Sequence, residues 1–273
     1  MIGFLIGMVA AGLLLFLLYI LSTRCKKAGS GMRKLRPYAY AHRGLHNAAR
    51  PENSLSAFRA AKSAGYGVEL DIHLLKDGTL AVFHDHDLSR ITGQSGVIEE
   101  LTAEDLWRYN LLGSIEHIPT FREVLNLFEG KVPMIVELKS DGKNYNALAE
   151  AACQMLDSYK GLYCVESFDP RCLQWLRRNR PDVLRGQLTE NFFKSPDSKL
   201  PGILKFLMTH QIFNFTTQPD FVAYRFSDRK RLSNSLVKKL WGAARVTWTI
   251  QTIEEYRMAK KEGWIPIFEG FEP

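Results

Sequence analysis

Apolar and polar positions divide the chain into two unlike regions. Ile2–Ser22 carries no charged residue and is dominated by Leu, Ile, Phe, Ala and Gly. At about 1.5 Å per residue, a helix of this length spans about 30 Å, the depth of a bilayer core. Further on, short β-rich runs alternate with segments of helical period. The runs fall at 38–42, 67–71, 132–138, 162–167, 183–188, 212–216, 245–250 and 264–269. Helical patterns occupy 54–64, 120–128, 145–158, 170–179, 233–241 and 253–261. Eight strands alternating with helices predict a parallel sheet, and eight such strands close a (β/α)₈ (TIM) barrel. The rival, a doubly wound open sheet, is disfavoured because no glycine-rich phosphate loop follows the first strand.

Local signals refine this outline. Ser54 can cap the helix that follows Pro51-Glu52-Asn53, and Asp169-Pro170 supplies a cap and a first-turn proline. Thr102-Ala-Glu-Asp105 has the form of a capping box. Segment 72–85 is too short for a helix, and Lys76-Asp77-Gly78 is a tight-turn signal. It predicts a hairpin inserted after the second strand. That hairpin returns His84 over the C-terminal face, where barrel enzymes keep their chemistry.

Charge adds an address. The formal net charge is +7, but Arg24, Lys26, Lys27, Arg33, Lys34 and Arg36 lie together without acids. The remainder is close to neutral, which argues against a nucleic-acid partner. No basic stretch precedes the apolar run, and no A-x-A-like cleavage site follows it, so a retained transmembrane helix is expected rather than a cleaved leader. The basic flank then predicts a single-pass protein of the cell membrane with its C-terminal side in the cytoplasm. The expected division is an anchor at 1–23, a basic juxtamembrane linker at 24–36 and a barrel domain at 37–273. Cys25, Cys153, Cys164 and Cys172 form no C-x-x-C pair, so neither a disulfide framework nor a zinc site is expected.

Candidate chemistry is concentrated between His42 and Asp87, which hold five of the seven histidines together with Glu52, Glu69, Asp71, Asp85 and Asp87. Packing gives no reason to collect such groups, because buried ionisable side chains cost free energy unless paired or metal-bound. Glu69, Asp71 and His73 alternate along the second strand and share one face, while Val68, Leu70 and Ile72 share the other. Carboxylates two apart on an inward face suit a hard cation, Mg²⁺ or Ca²⁺, and Glu137 adds a third at the next strand end. Structural ion pairs are the alternative. Lys139, on the face of Glu137, and Arg43, beside His42, could neutralise carboxylates or bind phosphate. An anion site beside a cation-binding cluster points to phosphoryl transfer, with His42 and His84 as acid and base.

These residues carry a resemblance. His42-Arg43-Gly44, Pro51-Glu52-Asn53, Glu69-Leu70-Asp71, Asp77-Gly78, His84-Asp85 and Glu137-Leu138-Lys139 follow, in order, the pattern of the glycerophosphodiester phosphodiesterase family. Ser167-Phe168 and Trp248-Thr249 match later strand ends. The chain resembles a membrane-anchored, bacterial-type member of that family from the linker onward. The resemblance implies a barrel with an insertion after the second strand and one divalent cation on Glu69, Asp71 and Glu137. It also implies His42 and His84 as the acid/base pair, phosphate on Arg43 and Lys139, and Trp248 against the glycerol or its neighbour. The nucleophile is either water or the substrate's own glycerol hydroxyl. Glu52 is given a supporting role, while His46, His73 and His86 are expected to be solvated or behind the site, and His117 and His210 structural.

The C-terminus departs from the family. Its eighth strand usually ends in a T-D-x-P-like segment followed by a helix, whereas this chain ends Ile265-Pro-Ile-Phe-Glu-Gly-Phe-Glu-Pro273. Glu269 is not an evident replacement for the missing Asp, and barrel closure there is open. The expected activity is hydrolysis of a glycerophosphodiester to glycerol 3-phosphate and an alcohol. The alternatives are a lysophospholipase D-like activity on membrane lysophospholipids and a tethered binding protein without turnover.

Overall fold

A computed structural model describes residues 1–196 and 198–273. Nine strands form: β1 (Tyr40–His42), β2 (Gly67–Leu74), β3 (Leu80–Val82), β4 (Met134–Leu138), β5 (Tyr163–Ser167), β6 (Arg185–Thr189), β7 (Phe221–Arg225), β8 (Ala244–Ile250) and β9 (Ile265–Phe268). Eight of them run parallel in the order β1-β2-β4-β5-β6-β7-β8-β9, and β9 pairs back onto β1. The barrel is closed. β3 lies outside that ring as the antiparallel return of the expected hairpin, with Ile72 opposite Val82 and Leu74 opposite Leu80.

Strand alternation divides the core in two. Val68, Leu70 and Ile72 of β2 and Met134, Val136 and Leu138 of β4 pack outward against helix residues such as Phe58, Phe121, Phe128, Leu148 and Leu173. Inside the barrel, Tyr40, Ile135, Cys164, Phe221, Val246 and Ile265 fill a second core near the strand starts. Gly186 makes room there: a Cβ at that position would lie 2.1 Å from the Phe221 ring. A third cluster, built on Phe83, Leu88, Ile98 and Leu111, supports the insertion after β3.

Four expectations change. The run at 212–216 is not the seventh strand; Asn214–Thr217 is a short helix, and the strand is β7, Phe221–Arg225. Period-two alternation in Ile-Phe-Asn-Phe-Thr is a fair strand signal. However, Asn214 is buried because its amide meets Cys25 and Gln211, and the fully buried Phe-Val-Ala-Tyr run better suits a strand covered on both faces. The Thr102–Asp105 box closes only a one-turn helix, Asp105–Arg108, with the Asp105 carboxylate accepting from the Thr102 N–H and hydroxyl.

The third change is at the basic stretch, which is more than a tether. It contains α2 (Ser30–Leu35), whose Met32 and Leu35 are 2% and 1% exposed and close the strand-start end of the barrel. Tyr40 donates its hydroxyl to the Leu35 carbonyl at 2.9 Å. The fourth is at the C-terminus, where closure needs no final helix. β9 is paired on both sides, and Phe271 packs its ring 5.8 Å from that of Phe268.

The N-terminal helix, α1 (Ile2–Ser22), is long and apolar enough to cross a membrane and buries none of its residues. It joins the barrel at its base, where Thr23 and Cys25 are buried and Trp241 donates its indole N–H to the Thr23 hydroxyl at 3.1 Å. A further helix, Gly202–Thr209, had no counterpart in the predicted pattern.

Candidate active site

The site starts with strand register. β2 places Glu69 and Asp71 two residues apart, and its pairing with β4 sets Glu137 beside Asp71. All three are buried, at 2%, 1% and 5% exposure, with carboxylate oxygens lying within 4.8 Å of one another. The Lys139 ammonium is 3.1 Å from Asp71 Oδ1 and 2.9 Å from Glu137 Oε1. Asn53 donates its amide to Asp71 Oδ2 at 2.9 Å. Burial, then the neighbouring Asp71 and Glu137, pushes the Glu69 carboxyl well above the usual carboxylate range. Burial likewise takes Glu137 up to about 7, against the pull of Lys139. Burial also opposes ionisation of Asp71, but Lys139, His84 and Arg43 outweigh it and hold that carboxyl low. Crowded, buried, oxygen-only donors fit a hard divalent cation, which would relieve the mutual repulsion.

The turn after β1 is built around the same carboxylates. Arg43 and Gly44 take left-handed φ values of 53° and 84°, and a Cβ on Gly44 would lie 2.9 Å from that of Ala57. Such backbone is uncommon outside glycine and costs free energy that its surroundings must offset. In return, the Arg43 N–H donates to Glu69 Oε2 at 3.1 Å and its guanidinium to Glu52 at 2.7 Å, with Nε 3.6 Å from Asp71. The Asn53 N–H closes the turn onto the Arg43 carbonyl at 2.9 Å, and Ser54 caps Leu55–Ser63 as expected.

Both candidate acid/base histidines are pinned by carboxylates. His84 Nδ1 lies 2.5 Å from Asp85 Oδ1, and His42 Nδ1 is bonded to Glu269. Glu269, which the sequence offers as no evident replacement for the missing Asp, is therefore the carboxylate that holds the His42 ring. His42 Nε2 points toward the carboxylates, 3.9 Å from Glu69 Oε2. Burial lowers the His42 pKa while the Glu269 hydrogen bond raises it. Burial and then Lys139 bring His84 down to about 4, so its imidazole is neutral at neutral pH.

A layer of charged groups holds this arrangement. Arg90 donates to Asp85 Oδ2 at 2.5 Å and to both oxygens of Glu52, which in turn accepts from Arg43. Glu52 thus links the two turns and is joined to the carboxylate trio through Arg43. His73 sits between Glu99 at 2.6 Å and the His84 carbonyl at 3.2 Å, and His86 reaches the other oxygen of Glu99 at 2.8 Å. His46 Nε2 is 3.9 Å from Glu269. His117 stacks on Trp107, and His210 packs against Phe206. Trp248, half-buried on β8, meets the Phe168 ring edge-on at 5.7 Å and lies under the Arg225 guanidinium.

The sequence reading missed Arg90, Glu99 and Glu166. Glu166 is 1% exposed, paired in register with Glu137, and has an oxygen without a partner. Its alternation with Cys164 on a strand was the available signal. Arg90 and Glu99 lie in irregular segments, where no period marks a face. From His84, Glu137 and Lys139 a groove of about 850 Å³ leads away over Phe168 toward the Gly202–Thr209 helix.

Residues 42–268 match the glycerophosphoryl diester phosphodiesterase family. The chain belongs to this family. It is an enzyme of the phosphoric diester hydrolase class. A glycerophosphodiester phosphodiesterase of Bacillus altitudinis is 32% identical over 176 residues, covering 60% of this chain and 71% of the relative. Glycerophosphodiester phosphodiesterase 1 of Bos taurus is 29% identical over 287 residues, covering 89% of this chain and 82% of its own. Among solved structures, an Oleispira antarctica phosphodiesterase in complex with the product sn-glycerol-3-phosphate superposes with a TM-score of 0.71. The two are 22% identical, over 87% of this chain and 94% of that one. The Thermotoga maritima glycerophosphodiester phosphodiesterase gives a TM-score of 0.64 at 24% identity, over 85% and 94%. Both share the fold described above.

Proposed function

We propose that this phosphodiesterase hydrolyses glycerophosphodiesters to glycerol 3-phosphate and an alcohol in a reaction that depends on a divalent cation. The observation that carries the reading is a buried carboxylate trio flanked by two histidine–carboxylate pairs. Glu69, Asp71 and Glu137 would hold Mg²⁺ or Ca²⁺, which would offset charge on the phosphoryl oxygens. Arg43 and Lys139 supply fixed positive charge for the phosphate, and Trp248 packs against the glycerol. Each histidine has its Nδ1 occupied by a carboxylate, leaving Nε2 for proton transfer. One accepts the proton of the attacking hydroxyl, and the other protonates the leaving alkoxide. Attack by water and attack by the substrate's own glycerol hydroxyl both use this pair. A chain that only bound its ligand would have no use for two imidazoles poised in this way.

We further propose that α1 anchors the barrel domain to the cell membrane, with the basic flank and the barrel on the cytoplasmic side. The catalytic reading is tested by incubating the purified full chain with glycerophosphocholine and titrating Mg²⁺ or Ca²⁺ after chelation. Glycerol 3-phosphate release that requires the cation is the expected result. Release at full rate in excess chelator would remove the cation from the account.

A further inference from the structure

A second cavity, of about 660 Å³, shares no lining residue with the groove at the carboxylates. It lies where α1 meets the barrel. Tyr19, in the last turn of the apolar helix, lines it, and the Tyr19 ring meets that of His210 edge-on at 6.1 Å. A tyrosine at the end of a membrane-length helix sits at head-group depth, where one end of its side chain is apolar and the other polar. Here the hydroxyl is buried and, among the described residues, has no hydrogen-bond partner. A buried polar group of this kind costs free energy until a ligand or water satisfies it.

The segment after β7 supplies the charge. Lys230 and Arg231 line the cavity together with Lys194 and Asp228. Asp228 is 8% exposed, and the Lys194 ammonium lies 3.5 Å from its Oδ1. Among the described residues, Lys230 and Arg231 pair with no carboxylate, so the cavity keeps a net positive charge. Burial, and then the charge of Arg231, lowers the His210 pKa, so that ring is neutral at neutral pH. The rim is apolar. Phe206 and Leu232 are 45% and 55% exposed, and Ile203, one turn from Phe206 on the Gly202–Thr209 helix, is 66% exposed. Solvated lysines and arginines on a polar surface would need neither this rim nor a buried hydroxyl. Cations within an apolar rim, beside a helix long enough to cross a bilayer, match a ligand with a phosphate head and hydrocarbon chains.

We propose that this cavity binds the head group of an anionic phospholipid of the surrounding bilayer, with its phosphate on Lys230 and Arg231 and the Tyr19 hydroxyl donating to it. The lipid is held without reacting, because the cavity contains neither histidine–carboxylate pair of the active site. Its effect is to seat the barrel against the membrane. The inference rests on α1 as the membrane anchor and is independent of the substrate.

The test titrates phosphatidylglycerol or phosphatidylcholine into the full chain in a neutral detergent, counts bound lipid by native mass spectrometry and uses inorganic phosphate as competitor. One phosphatidylglycerol is expected to bind about tenfold or more tighter than phosphatidylcholine. That preference is lost in a Lys230→Gln/Arg231→Gln variant, and Tyr19→Phe, which keeps the ring, weakens it. A Tm without lipid equal to that of wild type shows that each variant is folded. Equal affinity for the two lipids, or a preference untouched by the double variant, overturns the lipid site. Displacement of the lipid by an equal concentration of inorganic phosphate assigns the cavity to a free anion and also overturns it. Release of the chain from membranes by an alkaline carbonate wash is the separate result that overturns α1 as the anchor.

Discussion

His42, at the end of the first strand, is bonded through Nδ1 to Glu269, 227 positions away at the end of the last strand. Barrel closure and the orientation of a candidate catalytic imidazole are therefore the same event.

Glu269→Gln removes the charge and keeps the shape. Because the Glu269 hydrogen bond raises the His42 pKa against burial, its loss lets that pKa fall further. The limb of the pH–rate profile that reports His42 is expected to move to lower pH, with kcat down by about 10²-fold or more. A profile and kcat matching wild type would show that the contact has no part in turnover.

Cation binding should be visible without any turnover. A ligand present at about 100 times its Kd stabilises by about 2.7 kcal/mol, which for a domain of this size is a rise in Tm of several degrees. Mg²⁺ or Ca²⁺ is expected to raise the Tm of the wild-type chain but not that of Glu69→Gln or Glu137→Gln. Equal shifts in all three proteins would place the ion elsewhere.

Leu35 tests whether the basic stretch belongs to the fold. It is 1% exposed against the strand starts. Leu35→Ala should cost about 2–5 kcal/mol by equilibrium denaturation, as other large-to-small core changes do. A cost near zero would return this stretch to the status of a tether.

Arg90 carries the acid-side prediction. Burial opposes ionisation of Glu52, yet hydrogen bonds and charges from Arg90 and Arg43 hold its pKa at about 2. A folded-state pKa below the unfolded value near 4.5 means that this stabilisation is complete above pH 4.5 and is lost as pH falls toward 2. Arg90→Met should therefore lower Tm at neutral pH, and the gap from wild type should close across that window. A gap that stays constant with pH would mean that Arg90 contributes only packing.

Most of the barrel was legible because strands covered on both faces leave compact apolar runs, and because an acid within such a run stands out. Glu69, Asp71 and Glu137 were visible for that reason, and strand register brings them together. The seventh strand was misplaced because alternation at 212–216 imitates a half-buried strand, while the true one has no alternation to detect. Glu269 and Arg90 were illegible for a different reason: their meaning lies in partners that only closure and the insertion supply. Met32 and Leu35 were hidden by the lysines and arginines around them, which read as a membrane flank.

His42 and its carboxylate neighbours are proposed to hydrolyse a glycerophosphodiester. The most direct measurement is glycerol 3-phosphate release from glycerophosphocholine by the full chain with Mg²⁺ or Ca²⁺, comparing wild type with His42→Ala. Turnover by wild type is expected, with a loss of about 10²–10⁴-fold in the variant, the range for removal of a general acid or base. No release by wild type with either cation, or equal release by both proteins, would contradict it.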